Sequence, residues 1–206
     1  MKSKKIKSIA VIVAHPDDET LWAGGIILKH PLNNWVIVCI SRASDPERAA
    51  KYKNALVLLN AQGFMGDLDD GPDQQPLDEQ ILKDEIIRLL PDIHYDLIIT
   101  HDSVGEYTRH LRHEEVSKAV ISLWHERKIT AGELWTFAYE DGNKTYFPKA
   151  IVNATVFEPL NKSIWHRKYN LITQTYGFAK DSWEAQTTPL TEAFWQFKDF
   201  VKQKSD

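Results

Sequence analysis

Short apolar runs alternate with amphipathic stretches along the first two thirds of the chain. Strand-like runs occupy residues 6–13, Trp35–Ile40 and Tyr95–Thr100. Between them, apolar positions spaced three and four residues apart indicate helices. The expected helices are Leu21–Lys29, a long helix from near Pro46 to near Gly63, Leu77–Leu90 and Arg112–Arg127. Crossovers of this length join parallel strands with right-handed connections, so the pattern predicts an α/β fold, a three-layer α/β/α sandwich.

Two regions depart from this alternation. The segment Gly66–Asp73 is acidic and contains glycine, which favours irregular structure. Beyond Glu133, the strand-like runs Leu134–Tyr139 and Ile151–Phe157 are separated by the turn signal 141–143 (Asp-Gly-Asn). The tail is rich in aromatic residues, expected mostly in the core or in an oligomer contact, with a minority available to stack on a sugar: Trp165, Tyr169, Tyr176, Phe178, Trp183, Phe194, Trp195, Phe197 and Phe200.

Length and composition agree with a single soluble enzyme domain. No repeat or linker divides the 206 residues, so residues 1–206 are expected to form one domain. The net charge of −4 is well mixed, which argues against a nucleic-acid partner. The only cysteine, Cys39, lies in an apolar run and is expected to be a buried, inert thiol. The basic start leads into an apolar run that is too short for a secretory signal, and no run reaches the roughly 18 apolar residues of a membrane span. These features predict a cytoplasmic protein.

The strongest chemical signal follows the first strand, where residues 14–19 read Ala-His-Pro-Asp-Asp-Glu. In open α/β sheets, ligands bind outside the carboxyl ends of the strands. His15 and one of the two aspartates can bind one cation from such a tight loop, and zinc prefers this mixture of nitrogen and oxygen ligands. Taken alone, the motif has an alternative interpretation, in which Asp17 or Asp18 caps the following helix.

A third ligand has to come from elsewhere in the chain. His110 and His113 are the best candidates, because they also follow a strand-like run and so lie at the same edge of a parallel sheet. Two histidines three residues apart would more often mark the solvated start of a helix. Together with the first motif, however, they favour a metal site.

These two motifs resemble those of the LmbE-like, or PIG-L, family of zinc-dependent N-acetylglucosaminyl deacetylases. The first motif matches at six positions. The second matches at Gly105, Glu106, Tyr107, His110 and His113, whereas residues 108–109 (Thr-Arg) and 111–112 (Leu-Arg) depart from the family pattern, which often has glycine before the first histidine and Pro-Asp or Pro-Gln between the two. The resemblance implies a Rossmann-like, mostly parallel sheet in one deacetylase domain.

The resemblance also implies the role of each residue. His15, Asp18 and His113 would bind one Zn²⁺ per chain, although Fe²⁺ or Co²⁺ would accept the same ligands. Asp17 would remain unligated as the general base that takes a proton from the attacking water. His110, as an imidazolium, would stabilise the tetrahedral oxyanion.

Three residues are weaker candidates. Glu106 is a candidate for the carboxylate that keeps His110 protonated and for a contact with substrate. His101 ends a strand facing the crevice, which suits either substrate binding or a structural role. Arg48 lies where the family places a substrate-binding arginine, but the glutamate usual three residues later is Lys51 here.

The function expected from the resemblance is removal of an acetyl group from a small N-acetylated sugar or related glycoconjugate by metal-activated water. The alternative is a catalytically idle α/β protein that binds a sugar or a nucleotide. Asp17 favours the enzyme, because a pure binding protein needs no unligated base. No Gly-x-Gly-x-x-Gly pattern follows the first strand, which argues against a nucleotide. Assembly into a homo-oligomer remains open.

Overall fold

The computed structural model describes residues 5–71, 73 and 75–198. Residues 1–4 of the basic start and the aromatic Phe200 lie outside the described residues. The strands are β1 Ser8–Val13, β2 Asn34–Ser41, β3 Ala61–Leu68, β4 His94–Tyr95, β5 Leu97–Thr100, β6 Thr130–Ala131, β7 Glu133–Phe137, β8 Tyr139–Glu140, β9 Lys149–Ala150, β10 Val156–Pro159 and β11 Thr191–Lys198. The helices are α1 Asp18–Lys29, α2 Pro46–Leu59, α3 Glu79–Leu89, α4 Leu111–His125, α5 Lys162–Asn170 and α6 Trp183–Thr187, with a π-helical turn at Leu171–Thr175.

Seven strands form the central sheet in the order β10-β11-β7-β5-β1-β2-β3. The strands from β7 to β3 are parallel, and β10 and β11 extend the sheet in antiparallel orientation. From β1 the chain builds outward to β2 and β3, then returns to add β5 and β7 on the other side of β1. This reversal opens a crevice at the carboxyl ends of β1 and β5. The predicted mostly parallel, Rossmann-like α/β sheet is confirmed.

Helices cover both faces of the sheet. Along β1, the side chains of Ile9 and Val11 pack on the face covered by α1 and α2, while Ala10 and Ile12 pack on the face covered by α3 and α4. A strand buried on both faces must be apolar at every position, which explains why β1, β2 and β5 are visible in the sequence as continuous apolar runs. Cys39 on β2 is fully buried, as expected.

The end of α2 differs from the expectation. Gly63 does not end the helix, because α2 stops at Leu59 and Asn60 adopts the left-handed conformation at φ 54° and ψ 49°. Gly63 instead lies inside β3, where Leu56 packs so closely on the backbone that a Cβ atom would collide with it. The expectation of irregular structure from Gly66 is wrong for the first part of that segment, since β3 continues to Leu68.

The expected strand Ile151–Phe157 is wrong for residues 151–155. The strand in this region is β10, Val156–Pro159, and it pairs with β11. The turn at 141–143 joins β8 and β9, which form a short antiparallel pair. β7 pairs with β11, which lies more than 50 residues later in the chain. Among residues 5–71, 73 and 75–198, no helix combines the length and the apolar character needed to cross a membrane.

Candidate active site

The loops at the carboxyl ends of the parallel strands bring three metal-ligand atoms together. His15 and Asp18 follow β1, and His113 lies in the first turn of α4. His15 Nδ1 lies 3.1 Å from Asp18 Oδ2 and 3.2 Å from His113 Nε2, and His113 Nε2 lies 3.3 Å from Asp18 Oδ2. The three atoms therefore form a nearly equilateral triangle.

This triangle fits a tetrahedral metal ion. With ligand bonds of about 2.0–2.1 Å, two ligand atoms of a regular tetrahedron are about 3.3 Å apart, which matches all three edges. Two other triads also have ligand atoms within 4.8 Å of one another, namely His15, His110 and His113, and Asp18, His101 and His113. His101 is the less suitable ligand, because its Nε2 accepts the amide N–H of Ala14 at 3.0 Å.

Both candidate imidazole ligands contact a carboxylate through their other nitrogen. His113 Nδ1 lies 2.6 Å from Glu106 Oε2, and His15 Nε2 lies 3.0 Å from Asp70 Oδ1. Such contacts fix the tautomer, so that the nitrogens facing the triangle keep their lone pairs for a metal. Burial favours the neutral acid of Glu106, but the positive potential and hydrogen bonds of His101 and His113 dominate and lower its pKa to about 2.

Asp17 has an unusual backbone conformation for a non-glycine residue, at φ 121° and ψ −28°. It occupies the N-cap position of α1, yet its side chain makes no capping hydrogen bond. Its amide instead donates to Glu19 Oε2 at 3.1 Å, and the fully buried Glu19 accepts from Tyr176 Oη at 2.6 Å. Because the carboxylate accepts no amide of the first turn, the alternative interpretation, in which the side chain of Asp17 serves to cap the helix, is not supported.

The carboxylate of Asp17 faces the cleft. Its Oδ2 lies 3.4 Å from Arg48 Nη1, and the Arg48 guanidinium lies 5.5 Å from the ring centre of Phe178. Burial, reinforced by the charge of Asp18, raises the pKa of Asp17 well above its ordinary value, although His15 and Arg48 oppose this shift. A carboxylate with a raised pKa is a stronger base.

His110 stands over the triangle. Its ring stacks on His113 at 4.2 Å and meets His15 edge-on at 4.7 Å. Burial, followed by the charges of His113 and His15, lowers the pKa of His110 to about 3, so the imidazole is neutral near pH 7. The expected support by Glu106 is corrected, because that carboxylate bonds to His113 and His101. Among the described residues, His110 Nδ1 has no hydrogen-bond partner.

His101 and Glu106 do not reach the cleft. Both side chains are fully buried behind His113, and His101 Nδ1 lies 3.0 Å from Glu106 Oε2. The expectation that these two residues contact substrate is therefore corrected: burial leaves them to orient His113 and the loop at Ala14.

The cleft above the triangle has a volume of about 380 Å³. Sequence reasoning missed several of its walls. Asp70 follows the unrecognised strand β3, and Trp183 was one aromatic residue among many in the tail. Tyr107 and Trp183 meet edge-to-face at 4.7 Å and form an aromatic side of the cleft. The rim also contains charged side chains: Arg42, Arg48, Asp70 and Glu184.

Together, fold and site define an α/β protein with a candidate single-metal centre at the carboxyl edge of its parallel strands. Residues 10–124 match the family model for PIG-L, whose description is GlcNAc-PI de-N-acetylase. This region is more than half of the chain, and the chain belongs to the PIG-L family.

Two solved structures share the fold, and one curated protein is similar in sequence. GalB, the 4-carboxy-2-hydroxymuconate hydratase from Pseudomonas putida KT2440, is 18% identical with a TM-score of 0.65, over 98% of this chain and 100% of that chain. The zinc-inhibited form of teicoplanin deacetylase Orf2 is 14% identical with a TM-score of 0.67, over 95% of this chain and 100% of that chain. The uncharacterized protein L374 of Acanthamoeba polyphaga mimivirus is 26% identical over 146 residues, 63% of this chain. The match spans 61% of the length of that curated relative.

Proposed function

We propose that this protein is a zinc-dependent N-deacetylase that hydrolyses the acetamide of a small N-acetylated sugar or related conjugate. The observation that carries the proposal is the triangle of His15, Asp18 and His113 beside the unligated carboxylate of Asp17. Membership of the PIG-L family supports it, as does the similarity to teicoplanin deacetylase Orf2.

The side chains around the triangle suit amide hydrolysis. A divalent ion held by the three ligands supplies a Lewis acid that polarises the amide carbonyl and acidifies water. Asp17 accepts a proton from the attacking water and returns it to the nitrogen as the C–N bond breaks. Glu106 and Asp70 hold the two imidazole rings in orientation throughout.

His110 acts in its neutral form in this proposal. A neutral imidazole has one N–H, and His110 lies against both His15 and His113, where the carbonyl oxygen develops negative charge. One hydrogen bond from His110 to that oxygen stabilises the tetrahedral intermediate. No protonated histidine is required, which agrees with the low pKa of His110.

The cleft favours a sugar-sized, uncharged substrate. Tyr107 and Trp183 offer an aromatic surface for the apolar face of a sugar ring. Arg48 is paired with Asp17, and Arg42 is paired with Asp70 at 2.7 Å. The similarity to GalB makes hydration of an unsaturated polycarboxylate the second candidate, but pairing of both arginines disfavours a substrate with several carboxylates.

The first test combines metal analysis with acetate release. Purified protein is expected to contain about one zinc per chain and to release acetate from N-acetylglucosamine or one of a small panel of its conjugates. His113→Ala should lose both metal and activity, while His166→Ala, at an exposed position on α5, should keep both. The protein would be a hydratase if it binds zinc and hydrates 4-carboxy-2-hydroxymuconate instead. Bound zinc without turnover of either substrate would favour the idle binding protein. A cytoplasmic location and a homo-oligomer stay predictions.

A further inference from the structure

Arg112 is an unusual residue for its position. It precedes the candidate ligand His113 in the first turn of α4, and its side chain is fully buried. A buried guanidinium is tolerated only when its N–H groups find acceptors, because an unpaired buried charge is costly. The contacts that satisfy Arg112 therefore indicate what it holds in place.

The guanidinium binds both ends of residues 69–75, the acidic segment that follows β3. Arg112 Nε donates to the carbonyl oxygen of Asp69 at 2.7 Å, and Nη2 donates to the carbonyl oxygen of Gln75 at 2.9 Å. Nη2 also contacts Asp69 Oδ2 at 3.2 Å. Nη1 donates to Glu115 Oε2 at 2.6 Å, and the other oxygen of Glu115 accepts the amide of Leu77 at 2.9 Å. Arg112 and Glu115, near the start of α4, thus fix this segment at three backbone positions.

Asp70, which directly follows one of these fixed positions, completes the connection to the site. Its Oδ1 lies 3.0 Å from His15 Nε2, and its Oδ2 accepts from Arg42 Nε at 2.9 Å. Arg42 Nη2 also donates to the carbonyl oxygen of Asp70 at 2.8 Å, so Asp70 is held from two sides, by Arg42 at Asp70 itself and by α4 through the neighbouring Asp69. Arg112 therefore connects the helix that carries His113 with the residue that orients His15.

Building on the proposed metal site, we propose that Arg112 is a positioning residue that maintains metal affinity by holding Asp70 against His15. Partners of this kind typically contribute a factor of about 10 to 100 in metal affinity. Lysine cannot replace the arginine, because one ammonium group cannot reach the carbonyl oxygens of both Asp69 and Gln75 and also Glu115.

The test measures the zinc dissociation constant of metal-free protein by competition with a chromophoric chelator. Arg112→Lys and Asp70→Ala are each expected to bind zinc about 10- to 100-fold more weakly. The double variant should bind no more weakly than Asp70→Ala alone, because both changes remove the same contact with His15. Arg88→Ala is the matched control, since Arg88 lies on α3 with 63% of its side chain exposed and pairs only with Glu85 among the described residues.

Circular dichroism and urea unfolding establish that each variant is folded. If Arg112→Lys does not fold, Glu115→Gln is the second variant, and it should weaken zinc binding less but in the same direction. Wild-type affinity in a folded Arg112→Lys protein, or additive losses in the double variant, would overturn the proposal. Wild-type protein that binds zinc but releases no acetate would contradict the proposed deacetylase activity. The zinc dissociation constants of the variants would still decide the role of Arg112. Wild-type protein that binds no zinc would overturn both.

Discussion

At the scale of single residues, the candidate site is built from short motifs at the ends of two parallel strands. His15, Asp17 and Asp18 lie within one tight loop, and His113 follows another strand of the same sheet, so parallel pairing alone places them at one edge. The residues that orient the imidazoles were harder to assign. Asp70 belongs to a polar segment with no periodicity, and nothing in the sequence connects it with His15.

Replacing Asp17 with asparagine tests the proposed base. The asparagine side chain would keep the size of the aspartate but could not accept the proton of the attacking water. We expect Asp17→Asn to keep its zinc and to lose about 10²- to 10⁴-fold in kcat, the usual contribution of general acid–base catalysis. Zinc content and acetate release are measured together. Asp92→Asn, at an exposed position before β4, is the control, and full activity of zinc-loaded Asp17→Asn would exclude the proposed role.

Glu106 should give the metal-free protein an acid-sensitive stability. Its pKa is lowered from 4.5 to about 2, so its contribution is fully present above pH 4.5 and is lost as the pH falls towards 2. The shift corresponds to roughly 3 kcal/mol at neutral pH. At pH 7, the free energy of unfolding in urea, measured on chelator-treated protein, should be higher for wild type than for Glu106→Gln by about this amount.

That difference should shrink steadily from pH 4.5 towards pH 2. Glu47→Gln, whose side chain is 75% exposed on α2, should differ from wild type by less than about 0.5 kcal/mol throughout. A difference between wild type and Glu106→Gln that grows on acidification would contradict the assigned direction of the pKa shift.

At the scale of elements, the buried central strands could be predicted from the sequence, whereas the edge strand β3 could not. β1, β2 and β5 are apolar because helices cover both of their sides. β3 is an edge strand with two glycines, and only one of its eight residues is buried, so its pattern resembled a loop. Its partner β2 and the close packing of Leu56 determine its structure, and neither can be read from the local sequence.

A buried ion pair between α5 and β11 also contacts α1. Lys168 Nζ lies 2.6 Å from Glu192 Oε1, and both side chains are fully buried. The carboxylate of Glu192 also accepts the amides of Gly25 and Ile26 within α1, at 2.6 and 2.7 Å. A Cβ atom at Gly25 would collide with Leu160 and Glu192, so this close approach requires glycine. The contacts connect α5 and β11 with α1, the helix that begins at the candidate metal site.

Glu192→Gln should destabilise the protein strongly, because it leaves the ammonium group of Lys168 buried without a charged partner. Breaking such a pair from one side costs about 3–5 kcal/mol, measured here as the free energy of unfolding in urea. The double variant Lys168→Met/Glu192→Gln should recover part of the loss. Lys51→Met, which removes an exposed pair with Glu47, should cost less than about 1 kcal/mol. A loss of less than about 1 kcal/mol in the free energy of unfolding of Glu192→Gln would show that the buried pair does not stabilise the fold.

At the scale of the whole molecule, the last third of the chain completes the sheet that carries the site. The family match ends at residue 124, yet β11 pairs with β7 and extends the same sheet. This pairing joins Glu133 to Lys198, and such a long-range antiparallel contact has no local signal. The turn at 141–143 joins only the short strands β8 and β9. The assignment of residues 1–206 to one deacetylase domain stays a prediction.

Metal binding at the joint between β1 and α4 should stabilise the entire fold. An ion that binds only the native state adds about 2.7 kcal/mol at a free concentration 100 times its dissociation constant. For a chain of this size, each kcal/mol changes Tm by about 2–4 °C, so removing the metal should lower Tm by roughly 5–10 °C. Thermal unfolding with and without a chelator measures the effect. His113→Ala should be insensitive to the chelator, while His166→Ala should respond like wild type. Equal Tm values for wild type with zinc and with chelator would contradict a metal site that joins the first strand to the fourth helix.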